Sequence, residues 1–235
     1  MSAERGLLRA GALAALTAAL LTVVWLAMLL VLPVLPDEAT LEEQLYFVAE
    51  HQGAYIALYT GAFLLALMQA PFLLALTVLA YRRAGGQAWI WGVLALFYVI
   101  FSLWAYWTQL TIVRGLTDIF VNSEDAVLRA SALAVYLTWG YTGRLAAAPY
   151  AIDSLGYLLY SLALLGFGMI LIRSPGVDLV SGGLLLLASI SGLVGTLGYL
   201  VQIALIEDGI VLSGAFVMPA FFTLAYRYWR EARAD

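Results

Sequence analysis

Few side chains in this sequence can do chemistry, and where they fall decides which chemistry is open. Asp153 lies three residues inside the long apolar run Tyr150–Ile172. A carboxylate placed there ordinarily faces the interior of a helix bundle or a wet cavity. Gln109, Arg114, Tyr199, Gln202 and His51 fall at the same level of their own segments, and Arg144 stands in the loop just before. Pairing Asp153 with Arg114 or Arg144 would lower the cost of burying its charge. Asp153, Arg114, Arg144, Gln109, His51 and Gln202 therefore make a candidate polar pocket for a solute or a lipid headgroup. The competing interpretation is a plain N-cap, since a helix N-terminus favours an anion.

A second candidate sits deeper. Gln69 and Pro71 fall near the middle of one apolar run, and Pro219 near the middle of another. A proline frees a carbonyl and kinks its helix, and broken helices at mid-membrane are where many transporters bind substrate. The structural alternative is ordinary packing, with Gln69 satisfying the carbonyl freed by Pro71. As the single histidine, His51 is a candidate proton or ligand sensor, although a side chain bonded to water or headgroups would look the same. With Glu43 and Glu50 it shows no metal-ligand spacing.

Catalytic constellations fail on residue types. Ser189-Ile190-Ser191-Gly192 lacks the leading glycine of a rhomboid-type serine, and the single histidine precedes it in the chain. Asp153 has no second aspartate to complete an intramembrane aspartyl dyad. Glu42-Glu43 lacks the arginine and histidines of glutamate-type prenyl proteases. All 11 basic residues are arginine, and cysteine is absent. Without lysine there is no P-loop lysine and no Schiff base; without cysteine there is no disulfide or thiol redox pair. One histidine rules out a bis-histidine haem within the chain. The expectation is a protein that is not an enzyme and carries no cofactor and no metal.

These residues must be positioned by membrane helices. Of 235 residues, 64% are hydrophobic and 11% charged, with a mean hydropathy of +0.96. A soluble domain carries about 25% charged residues, so a soluble globular protein is excluded, and so is disorder. Six segments are long and apolar enough to span a bilayer: 7–32, 54–80, 88–113, 150–172, 179–206 and 210–229. Barrel strands would alternate over about ten residues instead. The fold class is therefore all-α, a polytopic six-transmembrane-helix bundle forming one membrane domain. Arg82-Arg83-Ala84-Gly85-Gly86, Arg173-Ser174-Pro175-Gly176 and Glu207-Asp208-Gly209 separate neighbouring spans with charge and helix breakers.

Two external segments, 33–53 and 114–149, are long enough to fold. In the first, Leu41, Leu45, Tyr46 and Val48 predict an amphipathic helix opened by Thr40 as N-cap. In the second, Asn122-Ser123-Glu124-Asp125 predicts a helix from about Ser123 to Trp139, with Leu128, Ala132, Val135 and Trp139 on the packed face. A cytoplasmic N-terminus puts Arg5, Arg9, Arg82, Arg83, Arg173, Arg227, Arg230 and Arg233 inside, against Arg114, Arg129 and Arg144 outside. This eight-to-three split predicts both termini on the cytoplasmic side of the cell membrane.

Small residues form stripes, Gly11-x-x-x-Ala15-x-x-x-Ala19 in the first span and Gly192, Gly195 and Gly198 in the fifth. Such stripes let helices approach closely, within the bundle or against a second copy or a membrane-protein partner. Trp104, Tyr106, Trp107, Trp139, Tyr141 and Tyr150, with Tyr226, Tyr228 and Trp229 at the other end, predict interfacial aromatic belts. The bilayer is the expected medium, and no nucleic-acid partner is expected.

Asp153-Ser154-Leu155-Gly156-Tyr157, Leu165-Gly166-Phe167-Gly168 and Arg173-Ser174-Pro175-Gly176 before the glycine-rich fifth span, together with Leu79-Ala80-Tyr81-Arg82-Arg83, form a pattern. It resembles an uncharacterised family of bacterial six-span integral membrane proteins of unknown function. The resemblance implies a short-looped six-helix bundle and carries over no functional residue. The acidic first loop and the long third loop depart from it. Two functions follow from the sequence: an accessory, structural or sensor-type bundle acting through membrane partners, ranked first, and a small transporter or solute- or lipid-binding protein using the pocket near Asp153.

Overall fold

A computed structural model describes residues 2–31, 39–140, 147–201, 203, 206 and 209–233. In chain order the helices are α1 (Ser2–Val31), α2 (Leu41–Glu50), α3 (Gln52–Ala84), α4 (Gln87–Thr108), α5 (Arg114–Asn122), α6 (Ala126–Trp139), α7 (Ala148–Leu171), α8 (Val177–Val201) and α9 (Gly209–Glu231). A π-helical turn, Gln109–Val113, joins α4 to α5 without a break. Among the described residues there is no strand. Six helical stretches are long and apolar enough to cross a membrane: Ala3–Val31, Gln52–Ala84, Gln87–Asn122, Ala148–Leu171, Val177–Val201 and Gly209–Glu231. The 23 residues of α9, the shortest, reach roughly 34 Å at about 1.5 Å per residue, enough for a hydrocarbon core of about 30 Å.

The six spans stand in a ring that follows chain order. Each packs on the span before and the span after it, and α9 closes on α1. Close approach is what the small residues supply. A Cβ on Gly11 of α1 would overlap that of Ala75 on α3, and one on Gly192 of α8 would overlap the Ser161 hydroxyl on α7. Ala15 and Ala19 are fully buried, so the predicted stripes face the inside of the bundle. Below the ring's midpoint a continuous core forms around Phe72, Phe167, Phe221 and Tyr228. The turns after α3 and α7 hold Gly85 at φ 58° and Gly176 at φ 76°, a backbone region that favours glycine over residues with a Cβ.

At the end carrying both termini, ion pairs link four helices. Arg82 of α3 meets Glu4 of α1 at 2.9 Å and also pairs with Glu231 of α9. Asp178, at the start of α8, pairs with Arg83 of α3 and lies 3.1 Å from Nε of Arg227 on α9. Arg227 also pairs with Glu231 one turn on.

The opposite end is covered by a lid of α2, α5 and α6. Thr40 caps α2 as predicted: its hydroxyl accepts from the Glu43 amide at 3.3 Å, and Glu43 accepts from the Thr40 amide at 2.7 Å. Those bonds hold the Glu43 carboxyl below its usual pKa, the backbone bond contributing most. Leu45 of α2 packs with Val113, Phe120, Ala132 and Tyr136 in a second small core. Burial pushes the Tyr136 hydroxyl up to about 12, so it stays protonated and donates to Gln44 at 3.2 Å.

Two expectations, on the third span and on α6, are corrected here; the predicted end of the fifth span at 206 falls among residues that are only partly described. The helix of the third span continues beyond Val113, through the π turn and into the lid, to Asn122. The described part of the fifth span ends at Val201. In α6, which is capped by Asp125, the packed face carries Ala132 and Tyr136, whereas Leu128 is 51% and Val135 42% exposed. The face turned to the lid's core is the one that carries Ala132 and Tyr136, with Leu133 packed beside them.

Candidate functional site

Polar side chains recur along one face of three spans, and the ring turns those faces toward its axis. On α7 the sequence Asp153, Tyr157, Tyr160 runs at helical spacing; on α3 it is Tyr55, Tyr59, Gln69; on α4 it is Tyr98, Ser102, Tyr106. Residues three or four apart share a helix face, so the α7 and α4 stripes each present their polar groups in one direction, and on α3 Tyr59 and Gln69, ten residues apart, reach the cavity at two levels. The stripes enclose a cavity with two adjoining lobes. The lobe nearer the lid is about 320 Å³ and is bordered by Asp153, Tyr59, Tyr106, Tyr157, Tyr199 and Trp25. The deeper lobe is about 130 Å³, with Gln69, Tyr98, Tyr160, Trp25, Thr22 and Ser213 on its wall. Both lobes share Trp25, Leu29, Tyr157, Ile210 and Val211, which come from α1, α7 and α9.

Asp153 is the sixth residue of α7, which begins at Ala148 with Ala147 in the capping position. It therefore lies beyond the turn that an N-cap serves, and the cap interpretation is overturned. Its side chain is 1% exposed and accepts a hydrogen bond from Ser102 of α4 at 3.1 Å. The hydroxyls of Tyr106 and Tyr157 lie 3.2 Å apart, and the rings of Tyr98 and Tyr160 stack at 4.2 Å. Gln69 donates its amide N–H to the Tyr98 hydroxyl at 3.2 Å. It does not serve the backbone near Pro71, as the packing alternative required.

The deeper lobe holds unmet hydrogen-bonding capacity. Among the described residues, four buried side-chain polar atoms lack a partner: Trp25 Nε1, Gln69 Oε1, Tyr160 OH and Arg83 Nη1. The first three all belong to residues on the wall of this one lobe. An orphaned buried polar group costs about 1–3 kcal/mol, so three in one cavity call for an occupant that hydrogen-bonds to them.

The other predicted pocket residues that the structure describes lie elsewhere. Gln109 is fully buried and accepts from the Tyr55 hydroxyl at 2.9 Å while donating to the Trp139 carbonyl at 3.2 Å. It ties α6 to the π turn and does not line the cavity. His51 sits at the α2–α3 junction with Nδ1 3.0 Å from the Phe47 carbonyl, away from Asp153. Arg114 is exposed, and no ion pair joins it to Asp153. Arg144 and Gln202 lie outside the described residues. Pro71 and Pro219 sit inside unbroken helices.

Sequence reasoning placed Tyr199 at the level of Asp153 and passed over the other tyrosines of the cavity. Tyr106 and Tyr150, predicted as belt residues, are 8% and 4% exposed. Tyr106 borders the cavity, and Tyr150 packs edge-on against Tyr199 at 4.9 Å. The signal was present in Asp153, Tyr157 and Tyr160, one carboxylate and two phenols on a single stripe of an otherwise apolar helix. No family model, no curated protein and no solved structure matches this chain.

Proposed function

We propose that this integral membrane protein binds a small amphiphilic molecule in the cavity between α1, α3, α4, α7 and α9, the solute- or lipid-binding alternative raised by the sequence. The observation that carries this is the meeting of three orphaned polar atoms, from Trp25, Gln69 and Tyr160, in one otherwise apolar lobe. The accessory role drew on small-residue stripes available to partners, and Gly11, Gly192 and Gly195 are spent on contacts inside the bundle. The protein has no catalytic part in this proposal; it holds its ligand and either passes it on or signals its presence.

Native mass spectrometry in mild detergent tests the proposal. Wild-type protein should retain a small molecule that is released on unfolding. Gly214 borders the deeper lobe and has open space where a Cβ would stand. Gly214→Leu should expel the molecule without lowering the melting temperature. An empty wild-type protein would sink the proposal.

We also place the termini, and the ion-paired end with them, in the cytoplasm of the cell, with the lid outside. The eight-to-three arginine split supports this. A reporter fused after Ala84 should be active only in its cytoplasmic form, and one fused after Asn122 only in its external form. The reverse pattern would invert the orientation.

A further inference from the structure

We infer that the deeper lobe holds the hydroxyl head of an uncharged lipid alcohol, whose chain leaves through the α1–α9 seam into the lid-side leaflet. This rests on the cavity-binding function proposed above and names the class of its ligand.

The unmet hydrogen bonds select the head. On this wall the Trp25 indole N–H, the Gln69 carbonyl oxygen and the Tyr160 hydroxyl are buried without a partner. The first only donates, the second only accepts, and the third does either. Tyr98 draws two of them together: Gln69 donates to its hydroxyl at 3.2 Å, and the Tyr160 ring stacks on its ring at 4.2 Å. The Thr22 hydroxyl on the same wall is already satisfied by the Ala18 carbonyl at 2.8 Å. An alcohol has one proton to donate and two lone pairs. Its proton suits Gln69, and its oxygen suits the indole and the phenol. A ketone, ester or ether brings no proton and leaves Gln69 orphaned.

The rest of the wall excludes a charged head. Among the described residues that border this lobe, none is charged. An ammonium or a carboxylate would lose its water there and gain no counter-ion. Water alone also fits poorly. The lobe's 130 Å³ is many times the roughly 10–15 Å³ that one water needs, and each water needs about 2–4 polar partners. Leu26, Leu65 and Val217 offer none.

The path of the chain follows from where the lobe meets the surface. Leu29 and Val211 border the lobe and are 40% and 60% exposed. Leu29 stands near the end of α1 and Val211 near the start of α9, so both lie toward the lid, at the seam that closes the ring. An acyl or prenyl chain passing between them stays in hydrocarbon while its head reaches the polar atoms.

Native mass spectrometry of the full chain in mild detergent tests the inference, with 2-dodecanol and 2-dodecanone as probes at equal concentration. The two share one skeleton and differ only at the carbon that bears oxygen. Gly214→Leu, which fills the lobe, measures the probe held on the outer surface, to be subtracted. Wild type should retain at least about fivefold more alcohol than ketone in the lobe, and more alcohol than dodecanoate or dodecylammonium. Gln69→Leu should erase the preference while the lobe still takes both probes. The wild-type comparison needs no change to the binding wall. Equal retention of alcohol and ketone, or stronger retention of a charged probe, overturns the assignment and leaves the cavity function standing. So does a native occupant that lacks a hydroxyl, or a preference that persists in Gln69→Leu. If Gly214→Leu displaces neither a native occupant nor any probe, the lobe holds water alone and both proposals fall.

Discussion

Replacing Asp178 by alanine should destabilise the purified protein by about 2–3 kcal/mol, more than any other single charge removal. Asp178 is 7% exposed and holds Arg83 of α3 and Arg227 of α9, the latter through Nε at 3.1 Å and 3.3 Å to its two oxygens. Removing it leaves two guanidinium groups from neighbouring helices facing each other, with Glu231 as the remaining counter-charge for Arg227. Breaking a fully buried pair costs about 3–5 kcal/mol. The side chains of Arg83 and Arg227 are 21% and 19% exposed, so water recovers part of that cost. Steric-trapping measurements in bicelles would give the free energy directly. A double-mutant cycle of Asp178→Ala with Arg83→Ala should show coupling above about 0.5 kcal/mol. Additivity, or a loss below about 1 kcal/mol, would mean the ion-paired end contributes little to holding the helices together.

The second large effect is expected at the α8–α9 crossing. A Cβ on Gly195 would overlap the backbone of α9, meeting the Ile210 amide nitrogen and lying 2.8 Å from the Gly209 carbonyl carbon. Conversely, a Cβ on Gly209 would lie 2.6 Å from the Ser191 carbonyl oxygen and 2.7 Å from the Gly195 nitrogen. Backbone cannot swing aside as a side chain can, so the helices must separate. Overpacking typically costs about 1–3 kcal/mol, and Gly195→Ala and Gly209→Ala should each fall at the upper end. Because the two positions relieve each other once the helices part, the double variant should cost less than the sum. A thermal melt in which Gly195→Ala matches wild type would refute this account of the crossing.

How much of this was legible can be argued from particular residues. The six spans and the Thr40 cap depend on local composition and spacing, which sequence carries directly. The extension of the third span does not: Arg114 and Asp118 look like loop residues, and only the lid gives α5 a surface to pack on. Asp153 was singled out for the right reason, a charge in an apolar run. His51, Gln109 and Arg114 were misjudged as its neighbours because equal level along parallel segments says nothing about which way each side chain turns. His51 and Gln109 stand at the right height and point elsewhere. For Tyr106, a belt residue and a cavity wall have the same composition and differ only in rotation about the helix axis. Gln69 was found through its proline, and its actual partner, Tyr98, comes from a neighbouring helix that no local pattern connects to it.

The chain-order ring also has a consequence for biogenesis. Spans leave the ribosome one at a time, and five of the six contacts around the ring join spans made consecutively. Each can therefore pair with its predecessor as it enters the bilayer. The seam between α1 and α9 cannot form until the last span is made. That seam contributes Trp25, Leu29, Ile210 and Val211 to both lobes of the cavity, and Arg82 bridges Glu4 to Glu231 across it. Among these six spans, the cavity is thus the last feature to close. A nascent chain halted before Gly209 would leave the polar stripes of α3, α4 and α7 open to lipid. A molecule bound there, as proposed above, would touch both α1 and α9 and hold shut the one contact that synthesis itself could not close early.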